Sequence, residues 1–260
     1  MTLGFLGTGA IASAMVAGLN GAYAVALSPR NAEIAAALAR RFPRVAVAES
    51  NQAVLDACDT VVIAVRPQIA AGVLADLRFR GDHHVISLVS GYSIARLSSL
   101  VAPAATLARA VPLPSTARRL SPTAIYPHDP RAQELFAQLG AAFAVDTEIQ
   151  FDAFCTATAT MATYFAFADG IASWLARNGI EPAQARDYVA RLFAGMADTT
   201  LESPGRSFHE LAADHATRGG INEQVLTRLT AHGVFAHFAE ELDAVMRRVT
   251  ANDRLATLDT

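Results

Sequence analysis

A glycine-rich segment near the start of the chain is the first feature whose residue types point to chemistry. Three glycines lie within the first nine residues of an apolar stretch. Glycine costs about 0.5–1 kcal/mol relative to alanine in regular structure, so its use here indicates a backbone that must stay free of side chains. The spacing is glycine, any residue, glycine, any two residues, alanine. Such a turn presents backbone N–H groups to a pyrophosphate. The residues expected to contact the dinucleotide are Gly7, Thr8, Gly9, Ala10 and Ile11.

This motif is informative only between a strand and a helix, and the flanking residues predict both elements. Residues 3–6 form a short apolar run, and residues 10–19 have helical apolar spacing. Further apolar runs alternate with helical segments, among them 31–41, with Asn31 as N-cap, and 51–57. The predicted later strands are 22–27, 45–48, 60–65, 85–89, 105–111, 123–126 and 142–145. This alternation predicts an α/β fold with a doubly wound parallel sheet. A glycine turn without a ligand is the alternative.

The end of the second predicted strand bears on the choice of dinucleotide. NAD-binding proteins place a carboxylate there for the ribose hydroxyls, but this chain has Ser28-Pro29-Arg30-Asn31. Arg30, with Ser28 or Asn31, is suited to hold a 2′-phosphate, which predicts NADP (NADPH). A solvated arginine in an ordinary loop is the alternative.

The second half of the chain changes character near residue 148, where the valine-rich runs give way to long helical patterns. We therefore expect a dinucleotide-binding Rossmann domain over 1–148 and a helical domain over 149–260. One apolar stripe runs through Phe235, Phe238, Leu242, Val245 and Val249. Core packing is the favoured interpretation of this stripe. Its length also permits burial against a second subunit, so a homodimer or higher homo-oligomer is expected through the helical domain.

Composition excludes several classes of function. The net charge of −3, with both signs interspersed, argues against nucleic-acid binding. Apolar runs are too short for a membrane span, no secretory signal is evident, and two distant cysteines favour a cytoplasmic protein. The histidines form no metal-ligand set, so no metal is expected. All 21 basic residues are arginines, so no lysine is present for Schiff-base or acid–base chemistry.

Several further segments, taken in order, resemble the pyrroline-5-carboxylate reductase family. Residues 4–19 read GFLGTGAIASAMVAGL, 64–68 read AVRPQ, 87–93 read SLVSGYS and 109–112 read RAVP. These are similar to the family's glycine-rich start, its AVKPQ segment, its A-G-I-S type loop and the start of its RVMPN segment. The resemblance implies a Rossmann domain, an intertwined helical dimer, NADPH-dependent reduction of a small cyclic imine, and a place in proline biosynthesis. It adds Val65, Arg66, Pro67 and Gly91 to the expected cofactor contacts.

The departures from the family lie where the resemblance places the substrate. Where the family has GSGPAY, this chain has ATMATY at 159–164. Where the family has SPGGTT, this chain has TRGGIN at 217–222, and Leu113 replaces the asparagine that follows the family's MP. The implied catalytic residues are Thr160, Tyr164 and Thr217. The implied substrate-binding residues are Thr217, Arg218, Gly219, Gly220 and Asn222. Arg218 is interpreted either as a partner for a substrate carboxylate or as a surface arginine, and His215 is a candidate proton donor.

The sequence thus predicts an NADPH-dependent reductase of a cyclic imine with an altered substrate pocket. Two alternatives stay open. Another two-domain NADP oxidoreductase is one, although the similarly organised β-hydroxyacid dehydrogenases use a lysine that this chain lacks. The other is a non-catalytic NADP-binding sensor, favoured by the changed substrate segments and disfavoured by the retained Thr160, Tyr164 and Thr217.

Overall fold

The computed structural model describes residues 1–256, with side chains described through residue 251, and it divides into two compact units. Unit 1 comprises Met1–Thr156 together with the chain from Met246, and unit 2 comprises Ala157–Val245. These units are defined by packing. The functional domain limits of 1–148 and 149–260 stay a prediction.

Unit 1 is built on an eight-stranded sheet, which confirms the expected α/β class. The strands are β1 (Thr2–Leu6), β2 (Ala24–Leu27), β3 (Val45–Val47), β4 (Thr60–Ile63), β5 (His84–Ser87), β6 (Thr106–Val111), β7 (Ser121–Tyr126) and β8 (Gly140–Ala144). Their order across the sheet is β3-β2-β1-β4-β5-β6-β7-β8. The first six are parallel in the order of a dinucleotide-binding sheet, with the change of direction between β1 and β4.

Two strands depart from the parallel arrangement expected from the sequence. β7 runs antiparallel to β6, with Ala110 opposite Ile125, and β8 is parallel to β7. Residues 112–120 join β6 to β7 and include only a short 3-10 helix, Pro114–Arg118. A parallel crossover needs about a dozen residues or more, so this connection is too short to return the chain to the other end of the sheet.

Helices cover both faces of the sheet. They are α1 (Ala10–Leu19), α2 (Ala32–Arg41), α3 (Asn51–Asp56), α4 (Pro67–Ala75), α5 (Ile94–Val101), α6 (Pro130–Ala137) and α7 (Glu148–Ala157). Val62 packs in one buried apolar cluster, whereas its neighbours Val61 and Ile63 pack in a second. Burial on both faces explains why the central strands are uninterrupted apolar runs. Asn31 is the N-cap residue of α2 as expected, but its side chain makes no capping hydrogen bond.

A buried arginine joins three of these elements. Arg109, near the carboxyl end of β6, is 3% exposed and donates to Glu148 at 2.7 Å and to Asp152 at 3.1 Å. Its guanidinium lies 4.3 Å from the ring centre of Phe151 on α7. Glu148 also accepts the N–H of Ile94 at 2.8 Å, the first N–H of α5, which has no partner within its own helix. This Arg109 cluster therefore fixes α5 and α7 against β6.

Unit 2 is helical and leaves many large apolar side chains exposed. It contains α8 (Thr160–Arg177), α9 (Pro182–Glu202), α10 (Phe208–His215), α11 (Ile221–Ala231) and the first part of α12 (Val234–Ala256). Ala185 and Val189 are its only fully buried apolar side chains among the described residues. Phe165, Phe167 and Trp174 on α8 are each more than half exposed. Exposed apolar area of this extent marks an interaction surface.

The apolar stripe on α12 belongs to this exposed set. Phe235 is 52% exposed and Phe238 is 40% exposed, so the expectation of core packing is wrong for these two residues within a single chain. The periodicity identified the helix but not what covers its apolar face. None of the helices in the described part of the chain has the length and hydropathy needed to span a membrane.

We predict that Arg109→Met lowers the free energy of unfolding by about 3 kcal/mol, because it leaves two acidic side chains without their cation. Chemical denaturation followed by circular dichroism measures the change. Arg191→Met is the matched control, since Arg191 pairs with Asp187 at 2.8 Å on the exposed face of α9. Its loss should leave stability nearly unchanged. Equal effects of the two substitutions would contradict a structural role for the Arg109 cluster.

Candidate functional site

The turn after β1 has the geometry expected of a pyrophosphate cradle. Gly7 has a φ of +98°, and a Cβ added there would lie 2.7 Å from the Ala64 carbonyl oxygen, so only glycine fits the fold. Gly9 is the N-cap residue of α1, and a Cβ added there would meet no atom within 4 Å. The open face at Gly9 and the free N–H groups of α1 fit a dinucleotide phosphate.

Thr8 joins this turn to the end of β2. Its hydroxyl donates to the Ser28 carbonyl at 2.8 Å, and both residues are buried. Ser28 is only 1% exposed, whereas Arg30 and Asn31 are exposed. Within this loop, therefore, Arg30 and Asn31 offer the accessible polar groups. The assignment of Ser28 and Arg30 to a 2′-phosphate stays a prediction.

The remaining expected cofactor residues lie at the same edge of the sheet. Arg66 is the exposed N-cap residue of α4, Pro67 is the first residue of that helix, and Val65 follows β4. Gly91 has a φ of +71° in the loop after β5. The Tyr92 hydroxyl donates to the Pro67 carbonyl at 3.0 Å and so ties the two loops together. These loops, with the glycine turn, surround the carboxyl ends of β1, β4 and β5, where open α/β sheets bind ligands.

Unit 2 contains a cleft that brings together two of the residues singled out from the sequence. Tyr164 and His215 both line a cleft of about 570 Å³ between α8, α9 and α10. The His215 Nδ1 lies 2.8 Å from the Leu211 carbonyl, which leaves Nε2 as its other polar atom. Phe193 packs edge-on against Tyr164 at 5.5 Å between ring centres. Thr160 is not among the cleft residues; its hydroxyl donates to the Ala157 carbonyl at 2.8 Å.

The predicted substrate loop lies between α10 and α11. Gly219 has a φ of +76°, and the Gly220 N–H donates to the Thr217 carbonyl at 2.8 Å. Asn222 closes the loop by donating from its amide to the His215 carbonyl at 3.1 Å. Thr217 and Arg218 are exposed on it. The structure therefore groups residues 217–222 in one turn.

Sequence reasoning missed one functional candidate in this loop. The carboxylate of Glu223 accepts the Gly219 N–H at 2.6 Å. Glu223 is the third residue of α11, after the N-cap residue Gly220. An acidic residue at that position of a predicted helix is the signal that could have identified it, because such side chains fold back onto free N–H groups.

The cysteines are not candidate nucleophiles. Burial raises the pKa of the Cys58 thiol and of the Cys155 thiol to about 11 in each case. Both groups are therefore protonated at neutral pH, and the thiolate is the reactive form.

We predict that Gly9→Ala abolishes NADPH binding without loss of stability, because its methyl group enters the open face needed by the phosphates. Gly7→Ala is the contrasting variant and should lower the melting temperature, since its Cβ clashes with the Ala64 carbonyl. Thermal unfolding with and without NADPH separates the two effects. Retention of the NADPH-induced stabilisation in Gly9→Ala would contradict this placement of the cofactor.

Comparison with known proteins gives two family matches. Residues 2–91 match a family model described as NADP oxidoreductase, coenzyme F420-dependent. Residues 148–251 match the model of the pyrroline-5-carboxylate reductase dimerisation domain.

Individual relatives are similar over almost the whole chain. The pyrroline-5-carboxylate reductase of Haemophilus influenzae is 25% identical, covering 94% of this chain and 93% of that protein. The crystal structure of 1-pyrroline-5-carboxylate reductase from Streptococcus pyogenes is 25% identical, with a TM-score of 0.84, over 96% of this chain and 98% of that one. The Plasmodium falciparum pyrroline carboxylate reductase structure with NADP bound shares the fold, with 18% identity and a TM-score of 0.81 over 97% and 98% of the two chains. Together these matches support membership of the pyrroline-5-carboxylate reductase family and identify the chain as an NAD(P)-dependent oxidoreductase of that type.

Proposed function

We propose that this protein reduces the C=N bond of a cyclic imine with NADPH, in a pocket altered from that of its relatives. The observation that carries the proposal is the glycine turn, with Gly7 forced by the fold and Gly9 open to a phosphate, in a chain of this family. Its dinucleotide site fits NADP, since Arg30 is exposed where a carboxylate would favour NAD.

When bound, NADPH supplies a hydride to the imine carbon while the nitrogen takes a proton, which yields an amine and NADP⁺. A protonated imine is already electrophilic, so the reaction needs no lysine, and none is present in the sequence. The proposed catalytic groups are the hydroxyls of Thr160, Tyr164 and Thr217. Of these, Tyr164 shares a cleft with His215, and we propose that one of these two residues supplies the proton.

We further propose that unit 2 forms the contact between subunits of a homodimer or higher homo-oligomer. The match to a dimerisation domain and the exposed aromatic side chains of α8 support this arrangement. The cytoplasmic location and the role in proline biosynthesis stay predictions.

The first experiment follows NADPH oxidation by the purified protein with 1-pyrroline-5-carboxylate and a panel of other cyclic imines. We expect steady turnover of at least one imine, and Tyr164→Phe should lower kcat by about 10²-fold if its hydroxyl takes part in proton transfer. Tyr188→Phe is the control, since Tyr188 is an exposed tyrosine of α9 outside the cleft. Binding of NADPH without turnover of any imine would support the sensor alternative instead.

The choice of NADPH over NADH tests Arg30. Arg30→Ala should raise the Kd for NADPH by about tenfold or more and leave the Kd for NADH unchanged, because a charge-assisted contact to the 2′-phosphate is lost. Arg40→Ala removes the same charge from an exposed position in the last turn of α2 and serves as control. An unchanged NADPH preference in Arg30→Ala would remove Arg30 from the site.

A further inference from the structure

The loop that the family resemblance assigns to the substrate already holds a carboxylate of this chain. Glu223 accepts the Gly219 N–H at 2.6 Å, a distance typical of a charge-assisted hydrogen bond. The Glu223 side chain is half-buried and belongs to the first turn of α11, where a negative charge is favoured. One N–H donor that an incoming anion would use is therefore occupied by Glu223, and a negative charge already lies at this end of α11.

Two further contacts occupy polar groups of the loop. The Gly220 N–H is bonded to the Thr217 carbonyl, and the Asn222 amide is bonded to the His215 carbonyl. A substrate carboxylate that entered this turn would have to displace Glu223 or sit beside its negative charge. Like charges in contact are strongly unfavourable, so either route weakens binding of a carboxylated substrate.

We infer that Glu223 determines the acceptor class, and that the preferred substrate is a cyclic imine without a carboxylate on its ring. This inference rests on the proposed imine reduction and specifies the substrate of that same site. Glu223 acts here as a specificity residue. It takes the place that a substrate carboxylate would occupy and so completes the loop without one.

The cleft around Tyr164 and His215 independently favours an uncharged ring. Its described lining is mainly alanine, phenylalanine, methionine and leucine, and no arginine is among those residues. The polar groups there are Tyr164, His215, Thr199 and Thr200. Such a lining accommodates a hydrocarbon ring with one hydrogen-bonding nitrogen and offers no guanidinium to a carboxylate.

Arg218 argues for the opposite preference, as does Arg228, which lines a pocket with Gly219, Gly220 and Glu223; Arg218 separates the two outcomes. It is exposed on the same turn and carries the charge that a carboxylate would seek. If Arg218 recognised the substrate, carboxylated imines would be preferred, and Arg218→Ala would raise KM for them alone. Under our inference, carboxylated imines are not preferred, and Arg218→Ala does not raise KM for them selectively.

The test compares 1-pyrroline with 1-pyrroline-5-carboxylate, which differ only by the carboxylate, as NADPH-dependent substrates of the wild-type protein. We expect kcat/KM for 1-pyrroline to be higher by about tenfold or more, the equivalent of one unfavourable charge contact. This comparison needs no variant and is independent of any effect on folding. A preference for 1-pyrroline-5-carboxylate would overturn the inference and leave the proposed function standing.

The Glu223→Gln variant tests whether the carboxylate of Glu223 causes the preference for the uncharged imine. The amide oxygen can still accept the Gly219 N–H, so we expect the structure to be retained while KM for 1-pyrroline-5-carboxylate falls by about tenfold. KM for 1-pyrroline should not change. An unchanged ratio of kcat/KM between the two imines in a folded Glu223→Gln protein would overturn the role of Glu223.

Glu210→Gln is the matched control. Glu210 accepts the Ser207 N–H at 2.7 Å in the first turn of α10, so it caps a neighbouring helix outside the predicted substrate loop. Its substitution should leave the substrate ratio unchanged. An equal change of ratio in Glu210→Gln would mean that general charge, and not the Glu223 contact, sets the preference. Failure of both imines and of the wider imine panel, with NADPH bound, would instead overturn the proposed function, and the inference with it.

Discussion

The organisation of unit 1 depends on the neutralisation of one buried cation. Arg109 lies near the carboxyl end of β6, opposite Ser87, and its side chain is almost completely buried. Burial of a lone charge is costly, so its stability requires acidic partners with good geometry. Glu148 and Asp152, one helical turn apart on α7, supply them. Since Glu148 also caps α5, one acidic side chain fixes the start of two helices.

The fold was predictable wherever its cause is local in sequence. The apolar run before Gly7, the helical spacing after it and the valine-rich run at 60–65 each report their own element, and all are present. The direction of β7 depends on the length of a connection, which the strand pattern alone did not reveal. The contacts of Arg109 depend on residues about forty positions away, which no local pattern reports. Exposure of Phe235 likewise depends on packing between helices and not on periodicity.

In the candidate site, too, the sequence revealed local backbone requirements but not contacts that depend on tertiary packing. Gly7 was accessible to sequence reasoning because its requirement is a backbone conformation that favours glycine. The shared cleft of Tyr164 and His215 is a product of tertiary packing between three helices, so the sequence named both residues without joining them. Glu223 was overlooked because the resemblance directed attention to residues 217–222 and ended one position earlier.

In the proposed reaction, binding of the cofactor and recognition of the acceptor depend on side chains to different degrees. The dinucleotide phosphates are held by backbone N–H groups and a helix terminus, so a glycine turn of the right shape suffices, whatever residues surround it. The acceptor is recognised by side chains, and a single acidic residue such as Glu223 changes the charge that the loop presents. A chain of this family can therefore keep its cofactor chemistry intact while the class of its acceptor changes. For this reason we propose that the differences at 159–164 and 217–222 change the acceptor and not the dinucleotide.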